Sequence, residues 1–388
     1  MAKPPTPQSA GSDRAASGAR RPSAASLAKL DRQIVAQLNE RARLAQERGP
    51  AASPDAEAAD AAVIDAALAA SAGPLPAAAV RAIFRELLGG IRAAAEPVRV
   101  AYLGPEYTYS HLAAIARFSQ SAELVPVATI ASVFEEVARG HAQFGVAPIE
   151  NSTDGRVADA LECFSKIGRD PAGAAQVEFA GAPSAAAAVQ ICGEVPLRIH
   201  HCLLGRGPRG AIRRVCSKPQ ALSQCRNWLN AHIPAAKLES AASSAEAAAL
   251  AAAEPDVAAI ASEQAAVNHG LEVLARNIED NPDNVTRFAI IGSAPAGRTG
   301  KDKTAVVFEA PHEPGALADA MAIFKRQKLN LTWIESFPIP GARGRYLFFL
   351  EFQGHAADLR VKRALGSLAR RSLRLTVLGS YAEADVVG

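Results

Sequence analysis

Residues 284–288 have the sequence Asn-Val-Thr-Arg-Phe and run directly into an apolar segment, Ala-Ile-Ile-Gly at 289–292. This pattern predicts a buried strand that begins with polar side chains. Because neighbouring side chains of a strand point to opposite faces, Thr286 and Phe288 share one face and Arg287 takes the other. We therefore expect separate roles for the Thr286 hydroxyl and the Arg287 guanidinium; the alternative is an ordinary strand residue beside an ordinary surface cation.

Around this strand, short apolar runs alternate with helical patterns from residue 97 to residue 292. Alternation of this kind is typical of α/β layers. The segment is long enough for two lobes with a cleft between them, which is a common place for a ligand. The predicted strands include 98–103, 145–149, 198–204, 257–261 and 288–291.

The N-terminal region has a helical pattern instead. Three helices are predicted within residues 27–96, at 27–48, at 56–71 and after the Gly-Pro-Leu-Pro breaker at 73–76, and they form a small all-α domain. Residues 1–26, rich in Ser, Ala, Pro and Arg, are predicted to be a disordered tail.

The C-terminal region, residues 304–380, follows a linker at 293–303 and has the order strand, helix, strand, strand, helix, strand. This βαββαβ order is that of an α+β ferredoxin-like domain. The predicted elements are strand 304–309, helix 316–327, strand 329–336, strand 346–352, helix 356–371 and strand 373–378.

The composition limits the classes of function. With 388 residues, 49% of them hydrophobic and 21% charged, the chain is predicted to be a soluble globular protein of two or three domains. A net charge of +3 and an aromatic content of 5% argue against a nucleic-acid partner, which needs both basic and stacking side chains. The alanine-rich runs are interrupted by Pro, Glu and Asp, so no membrane span is predicted.

The five cysteines show no Cys-x-x-Cys spacing, which indicates neither a disulfide framework nor a zinc site. Together with the absence of a signal-peptide run, this predicts a cytoplasmic protein without a bound metal. His200 and His201 do not change that prediction, because adjacent side chains of a strand point in opposite directions and cannot share one ion. We expect His201 to be a structural residue.

Five motifs of the central region resemble those of prephenate dehydratases and occur in the same order. They are Leu-Gly-Pro-Glu-Tyr-Thr-Tyr-Ser-His at 103–111, Pro-Ile-Glu-Asn-Ser at 148–152, His-Cys-Leu-Leu at 201–204, Ser-Lys-Pro-Gln-Ala-Leu at 217–222 and Asn-Val-Thr-Arg-Phe at 284–288. The resemblance implies a two-lobed catalytic domain of the periplasmic-binding-protein type at 97–292. The C-terminal unit is similar to the ACT regulatory domain of these enzymes, and the N-terminal helices look like the chorismate mutase domain that bacterial members carry.

The reaction that this resemblance implies removes hydroxide and CO2 from prephenate and gives phenylpyruvate. Prephenate carries two carboxylates and a ring hydroxyl, and aromatisation of its ring supplies the driving force. The protein must therefore anchor two anions and assist the departing hydroxyl, and no metal or cofactor is required. By its motif position Thr286 is the catalytic residue, which we expect to donate a hydrogen bond to that hydroxyl.

Further candidates for substrate binding lie in the same motifs and beside a predicted helix start. Thr108 and Ser110 lie where a strand gives way to a helix, a favourable place for an anion, although plain N-capping is the alternative. Arg287 could orient a carboxylate, and its alternative is a structural ion pair between the lobes. Glu150 could equally cap a helix or bridge the lobes. The predicted substrate-binding residues are Thr108, Ser110, Glu150, Asn151, Ser152, Ser243, Ser244, Arg287 and Phe288.

Two positions of the central region depart from the family pattern. Tyr107 stands where the family usually has Gly, so this residue is strained if the backbone there requires a positive φ. Lys218 stands where His usually precedes Pro219, and it keeps a possible cation without an imidazole.

The N-terminal helices depart further. Chorismate mutases of this type hold a dianion with several cations along their helices, and in this sequence only Arg41 remains in register. One cation cannot clamp a dicarboxylate and also stabilise the developing ether charge. We predict that mutase activity is lost or nearly lost and that these helices serve dimerisation. The other functional positions fall on Ala24, about Ala52, Ala59, Asp60 and Gly89 or Gly90.

The resemblance of the C-terminal unit to ACT domains rests on Gly-Ala-Leu at 315–317 and Ile-Glu-Ser-Phe-Pro at 334–338. It implies that L-phenylalanine binds between two such units and inhibits the enzyme, and hence that the protein is a homodimer or a homotetramer. Phe337 stands at the family's usual Arg, which leaves the effector site one charge short. The predicted effector-binding residues are Gly315, Ala316, Leu317, Asn330, Glu335 and Ser336.

Three alternatives to a monofunctional prephenate dehydratase remain at this point. The same fold could act on arogenate, in which an amine replaces the keto group, or the enzyme could be bifunctional with an active mutase. It could also be a non-catalytic amino-acid sensor, because binding proteins too have two lobes around a cleft. The presence of Thr286 and of Glu-Asn-Ser at 150–152 favours an enzyme.

Overall fold

The structure is a computed structural model that describes residues 23–47, 56–167, 189–339 and 345–388. It divides into two compact units, residues 1–49 and 50–388. The predicted disordered tail lies outside the described residues except for its last part, where the first helix already begins.

The helices and strands are numbered along the chain. The helices are α1 (Ala24–Glu47), α2 (Ala56–Ala70), α3 (Ala77–Ala95), α4 (Tyr109–Phe118), α5 (Ile130–Ala138), α6 (Ala158–Lys166), α7 (Pro219–Gln224), α8 (Arg226–His232), α9 (Ser244–Ala253), α10 (Glu263–His269), α11 (Ala316–Gln327) and α12 (Leu359–Ala369). The strands are β1 (Arg99–Leu103), β2 (Glu123–Val127), β3 (Phe144–Asn151), β4 (Gly155–Arg156), β5 (Gln190–Arg198), β6 (Cys202–Gly205), β7 (Arg214–Ser217), β8 (Lys237–Ser240), β9 (Val257–Ala261), β10 (Glu272–Ala275), β11 (Val285–Gly292), β12 (Asp302–Glu309), β13 (Leu331–Pro338), β14 (Tyr346–Gln353) and β15 (Arg374–Ala382).

The three predicted N-terminal helices are confirmed as α1, α2 and α3. Helix α1, in the first unit, buries none of its residues. In the second unit, Arg92 of α3 donates a hydrogen bond to Asp60 of α2. A side chain at Gly89 would bring its Cβ within 2.0 Å of Ser119 Oγ, so the glycine permits close packing of α3 against the next domain. Two positions that the mutase resemblance singled out, 60 and 89, thus have packing roles here.

The predicted two-lobed α/β architecture is confirmed. Lobe 1 is a six-stranded sheet with the order β2-β1-β3-β11-β5 and with β4 paired to β3. Its first three strands run parallel to one another, and β11 runs antiparallel to both of its neighbours. Lobe 2 is a five-stranded sheet with the order β10-β6-β9-β7-β8, in which β7, β8 and β9 are parallel. All five residues of β9 are buried, as expected for a central parallel strand covered on both faces.

The chain crosses between the lobes twice, at 199–201 and at 276–284. The prediction of one strand at 198–204 is wrong, because β5 ends in lobe 1 at Arg198 and β6 begins in lobe 2 at Cys202. The two crossovers run side by side, joined by hydrogen bonds from Ile199 N to Asn284 O (2.8 Å) and from Ile278 N to His201 O (2.9 Å). This paired connection links the two lobes.

The C-terminal domain is a four-stranded antiparallel sheet with the order β13-β14-β12-β15, and α11 and α12 pack on it. This confirms the predicted ferredoxin-like order. The predicted linker is too long by two residues, because Asp302 and Lys303 already belong to β12 and are buried.

The C-terminal domain packs directly on lobe 1. Gly379 of β15 has a φ of 148°, and a Cβ added there would lie 2.0 Å from the carbonyl oxygen of Ile191 in β5. Only glycine accommodates this approach of two backbones. Among the described helices, none combines the length and the apolar character that crossing a bilayer requires.

Candidate active site

A cavity of about 430 Å³ lies between the two lobes. It is formed where the parallel strands of both sheets end, β1 and β2 in lobe 1 and β7 and β8 in lobe 2. Open α/β sheets bind ligands at this edge, and the volume falls within the roughly 300–1,000 Å³ typical of small-molecule sites. The cavity is lined by Leu103, Gly104, Pro105, Pro126, Val127, Ala128, Lys218, Ala242 and Ser243.

Thr286 and Asn151 lie at the same edge of lobe 1, at the end of the strand next to β1. They are opposite each other in the pairing of β3 with β11, and both are partly exposed rather than part of the cavity lining. Asn151 Nδ2 donates a 2.8 Å hydrogen bond to Thr286 Oγ1, so the threonine oxygen is an acceptor in this pair. Its own proton is donated to no residue in the described part of the chain, and it remains available to a ligand.

The amide of Asn151 is fully occupied. Besides Thr286, its Nδ2 donates to Asn284 Oδ1 (2.8 Å), and its Oδ1 accepts from the backbone N–H groups of Thr153 and Asp154 (both 2.9 Å). The two backbone donors fix the orientation of the amide, since only the oxygen can accept them. The predicted direct contact of Asn151 with substrate is therefore not supported. Asn151 instead positions the Thr286 hydroxyl.

A polar network behind Thr286 crosses from one lobe to the other. Asn284 Nδ2 donates to Gln224 Oε1 (3.0 Å), and Gln224 Nε2 donates to Asp154 Oδ2 (2.8 Å). His201 Nε2 lies 2.9 Å from the same Gln224 oxygen. Gln224 belongs to lobe 2 and Asp154 to the β3–β4 turn of lobe 1, so the network ties the lobes together next to the Thr286–Asn151 pair.

The geometry gives His201 the structural role expected for it. Because Gln224 Oε1 can only accept, Nε2 of His201 carries the proton, and Nδ1 faces the Tyr109 hydroxyl at 3.0 Å. Burial lowers the pKa of His201, which favours this neutral form. His200 is paired separately with Glu279, at 2.7 Å. Within the described ranges, no group of three or more His, Cys, Asp or Glu side chains could hold a metal ion.

Thr108 has the capping role that was the alternative to substrate binding. Its Oγ1 accepts from His111 N (3.5 Å) at the start of α4 and donates to Pro105 O (2.9 Å). The hydroxyl therefore holds the loop that forms one side of the cavity and does not point into it. Ser110 is buried in the first turn of α4 and is not among the residues that line the cavity.

Tyr107 has a φ of 64°, in the region that is unfavourable for residues other than glycine. Its backbone N–H donates to His111 Nδ1 (2.9 Å), and its carbonyl accepts from Ser262 Oγ (3.2 Å) in lobe 2. The ring meets His111 edge to face and packs against the apolar cluster of lobe 2. Contacts between the lobes thus compensate the strained backbone.

Arg287 points away from the Thr286 face into a buried cluster of charges. Its guanidinium donates to Glu150 (2.9 Å), to Glu194 (2.7 Å) and to Glu351 of the C-terminal domain (2.7 Å). Lys303 joins through Glu194 at 2.8 Å. This geometry favours the structural alternative and does not support the predicted contacts of Arg287 and Glu150 with substrate, because both are held in an ion network. That network joins lobe 1 to the C-terminal domain, and not the two lobes to each other.

Opposite charges keep Arg287 and Glu351 ionised despite their burial. Burial disfavours the charged guanidinium, yet the carboxylates of Glu351 and Glu194 raise the pKa of Arg287 above its usual value. Burial alone would raise the pKa of Glu351, but Arg287 and Lys303 lower it below its usual value. Trp333 covers the guanidinium of Arg287, with its ring centre 5.7 Å away.

Three other predicted contacts with substrate are also not supported. Phe288 is 1% exposed and packs in the core of lobe 1. The Ser152 hydroxyl accepts from Val285 N (2.9 Å) and donates to Asp283 O (3.3 Å), which fixes the turn after β3 to the start of β11 and to the end of the second crossover. Ser244 is buried in the first turn of α9 and does not line the cavity, whereas its neighbour Ser243 does.

Comparisons with known proteins agree with this geometry. The family model described as prephenate dehydratase matches residues 100–296, which include both lobes and Thr286. The chain belongs to the prephenate dehydratase family. It is 40% identical over 367 residues to the bifunctional chorismate mutase/prephenate dehydratase of Stutzerimonas stutzeri, covering 92% of this chain and 95% of the relative.

Members without a mutase region in their name match as well. The prephenate dehydratase of Amycolatopsis methanolica is 34% identical over 292 residues, covering 74% of this chain and 90% of the relative. The crystal structure of the prephenate dehydratase of Arthrobacter aurescens in complex with L-Phe has a TM-score of 0.64 and 34% identity, and covers 74% of this chain and 91% of the other.

In this prephenate dehydratase fold the predicted effector segment contacts the hairpin that carries Asn151. Glu335 of β13 forms a 2.8 Å ion pair with Arg156 of β4, which lies opposite Glu150 in the β3–β4 pairing. Thr332 of the same strand donates to Glu351 (2.6 Å). At the other end of the segment, Gly315 caps α11 with a φ of 86°, and Ala316 and Leu317 begin that helix.

Several residues around the site were not predicted. Gln224 gives no signal of its own, since amides occur on any surface, and Asn284 was predicted only as part of the Asn-Val-Thr-Arg-Phe motif, without a role. Glu194 and Glu351 do give one, because each interrupts an apolar run that forms a strand, whereas Lys303 lies in the polar stretch before the apolar part of β12. A charge inside such a run must be paired when the strand is buried.

Proposed function

We infer that the protein is a prephenate dehydratase that uses Thr286 to assist the departure of the ring hydroxyl. The observation that carries this inference is the orientation of that side chain. Asn151 donates to its oxygen, so its proton points away from Asn151 and is free to bond a leaving group. A donor fixed before the substrate arrives needs no reorganisation during the reaction.

In the proposed reaction two bonds break at opposite positions of the ring. The bond to the ring carboxylate releases CO2 and leaves its electron pair in the ring. The carbon–oxygen bond opens with its pair on the hydroxide, which takes up a proton from the solvent and leaves as water. Thr286 stabilises the negative charge that grows on this oxygen, and it does so by hydrogen bonding because a free hydroxyl is too weak an acid to give up its proton.

The test is to follow phenylpyruvate formation from prephenate by the purified full-length chain. Arogenate, assayed in parallel, yields phenylalanine and distinguishes the second candidate substrate. Turnover of prephenate with the higher kcat/KM is expected. A chain that binds aromatic amino acids but converts neither compound would be a sensor on the same scaffold, contrary to the proposal.

L-phenylalanine is the proposed inhibitor, acting through the C-terminal domain. Two observations support this: the similar enzyme from Arthrobacter aurescens is described in complex with L-Phe, and strand β13 contacts the Asn151 hairpin through Glu335 and Arg156. An effector bound next to β13 can therefore reach the catalytic pair. We expect L-phenylalanine to lower the rate of wild type and Arg156→Gln to weaken this inhibition. Equal inhibition of both proteins would contradict the proposed route.

A homodimer is proposed on the basis of two exposed elements. Strand β13 is an edge of its sheet and could pair with a second copy. Helix α1 leaves its apolar stripe exposed, including Leu30, Ile34 and Leu38. The mass in solution, measured by light scattering, should be at least twice 40.3 kDa; a monomer at assay concentrations would contradict this.

The chorismate mutase activity of the N-terminal helices stays predicted to be lost, although similar proteins are named bifunctional. Asp60 is paired with Arg92, and Gly89 packs closely beside Ser119. Neither position offers a group for a dianion. The measurement is chorismate consumption by the purified chain, and an ordinary mutase rate would overturn the prediction.

A further inference from the structure

The cavity between the lobes contains one charged side chain. Lys218, directly after β7 in lobe 2, is the one titratable residue among the nine that line it. Its ammonium makes no hydrogen bond or ion pair with any residue in the described segments. Burial lowers the pKa of Lys218, as expected for a cation that lacks a counter-charge in a partly desolvated place.

A second donor lies in the same wall. Ser243 is 7% exposed and caps α9, where its Oγ accepts from Glu246 N at 2.9 Å. Its hydroxyl proton is not donated to any residue that the structure describes. Opposite these two donors, lobe 1 contributes the apolar side chains of Leu103, Pro126 and Val127. A cation, a hydroxyl and an apolar wall are suited to an anion attached to a hydrocarbon skeleton.

We propose that Lys218 binds the pyruvyl side-chain carboxylate of prephenate in this cavity, with the hydroxyl of Ser243 as a second donor. The proposal rests on the inferred dehydratase function. In this proposal the residue that anchors the substrate carboxylate, Lys218, belongs to lobe 2, whereas the Thr286–Asn151 pair belongs to lobe 1.

The chemistry selects this carboxylate over the one on the ring. The ring carboxylate loses its negative charge as CO2 leaves, so a cation paired with it would stabilise the ground state more than the transition state and slow the reaction. The side-chain carboxylate keeps its charge from substrate to product. A cation paired with it binds both states equally, which lowers KM and leaves kcat unchanged.

The test compares Lys218→Met with wild type, using prephenate as substrate and phenylpyruvate as competitive inhibitor. Loss of a charge-assisted bond should raise the KM for prephenate about 10- to 100-fold with little change in kcat. Phenylpyruvate retains the side-chain carboxylate, so its inhibition constant should rise by the same factor. Lys218→Arg should recover most of the affinity. Lys237→Met, which removes an exposed lysine of lobe 2, is the matched control and should change neither constant.

Two results would overturn the proposal: an unchanged KM, or a raised KM with an unchanged inhibition constant, which would place Lys218 on the ring carboxylate. If wild type does not turn over prephenate, the proposed function fails instead. Calorimetric binding of phenylpyruvate to wild type and to Lys218→Met then tests the anchor by itself, and equal affinities would contradict it.

Discussion

Replacing Thr286 by Val is expected to lower kcat for prephenate about 10²–10³-fold, the usual effect of removing one preorganised donor from a developing oxyanion. Valine has the shape of threonine and fits the strand, so β11 should keep its pairing with β3. The loss should appear in kcat and in kcat/KM alike, because the bond to the leaving hydroxyl strengthens only in the transition state.

The conservative change Thr286→Ser retains the hydroxyl and should keep most of the rate. Thr376→Val, a strand threonine of the C-terminal domain, serves as the control for the loss of a hydroxyl elsewhere and should leave kcat unchanged. Phenylpyruvate formation at saturating prephenate is the measurement. If Thr286→Val kept the wild-type kcat, the Thr286 hydroxyl would have no role in the reaction and the prediction would be wrong.

Replacing Arg287 by Met should lower the free energy of unfolding by about 3–5 kcal/mol, because it leaves buried carboxylates without their main partner. Glu194 and Glu351 are 1% and 0% exposed in their side chains, so water cannot replace the guanidinium. Urea unfolding followed by tryptophan fluorescence measures the change. Arg276→Met is the control: it breaks an exposed pair with Glu263 and should cost about 0–1 kcal/mol.

The pH dependence of this difference provides a second readout. In wild type the lowered pKa of Glu351 contributes stability above its ordinary value of 4.5, and this contribution is lost as the pH falls through the lowered pKa. In Arg287→Met, Glu351 loses its main counter-charge while burial still raises its pKa, so it takes up a proton at higher pH than in wild type. The difference between the two proteins in the free energy of unfolding should therefore narrow from neutral to mildly acidic pH. Adding Glu351→Leu should recover part of the loss, since it removes one uncompensated charge. A gap that stays constant with pH would contradict the electrostatic cause.

The layered architecture was predictable because each element carries its own local pattern. The βαββαβ order of the C-terminal domain follows from alternating apolar periods, and α11 occurs at the predicted residues. The boundary at 198–204 was not predictable in this way. An apolar run predicts that a segment is buried. It does not predict that the chain leaves the sheet of lobe 1 and enters the sheet of lobe 2 within three residues, as it does at 199–201.

The site was predicted in part, and the errors have one cause. Strand alternation correctly placed the side chains of Thr286 and Arg287 on opposite faces of β11. It could not show which residues of other elements contact each face. Arg287 meets Glu351, which lies 64 residues further along the chain in another domain. Such contacts are decided by how sheets pack on each other, and no local pattern specifies them. Thr286 and Asn151 lie side by side because β3 and β11 are neighbours in the sheet. The order of the motifs along the chain does not by itself predict that these two strands pair.

The separation of Lys218 and Thr286 onto different lobes, joined by the paired crossovers, has a kinetic consequence. In the proposed binding mode lobe 2 holds prephenate by its side-chain carboxylate and lobe 1 supplies the donor to the leaving hydroxyl, so capture and bond breaking depend on different halves of the molecule. A sucrose solution that raises the viscosity should therefore lower kcat only where motion of one lobe against the other limits turnover.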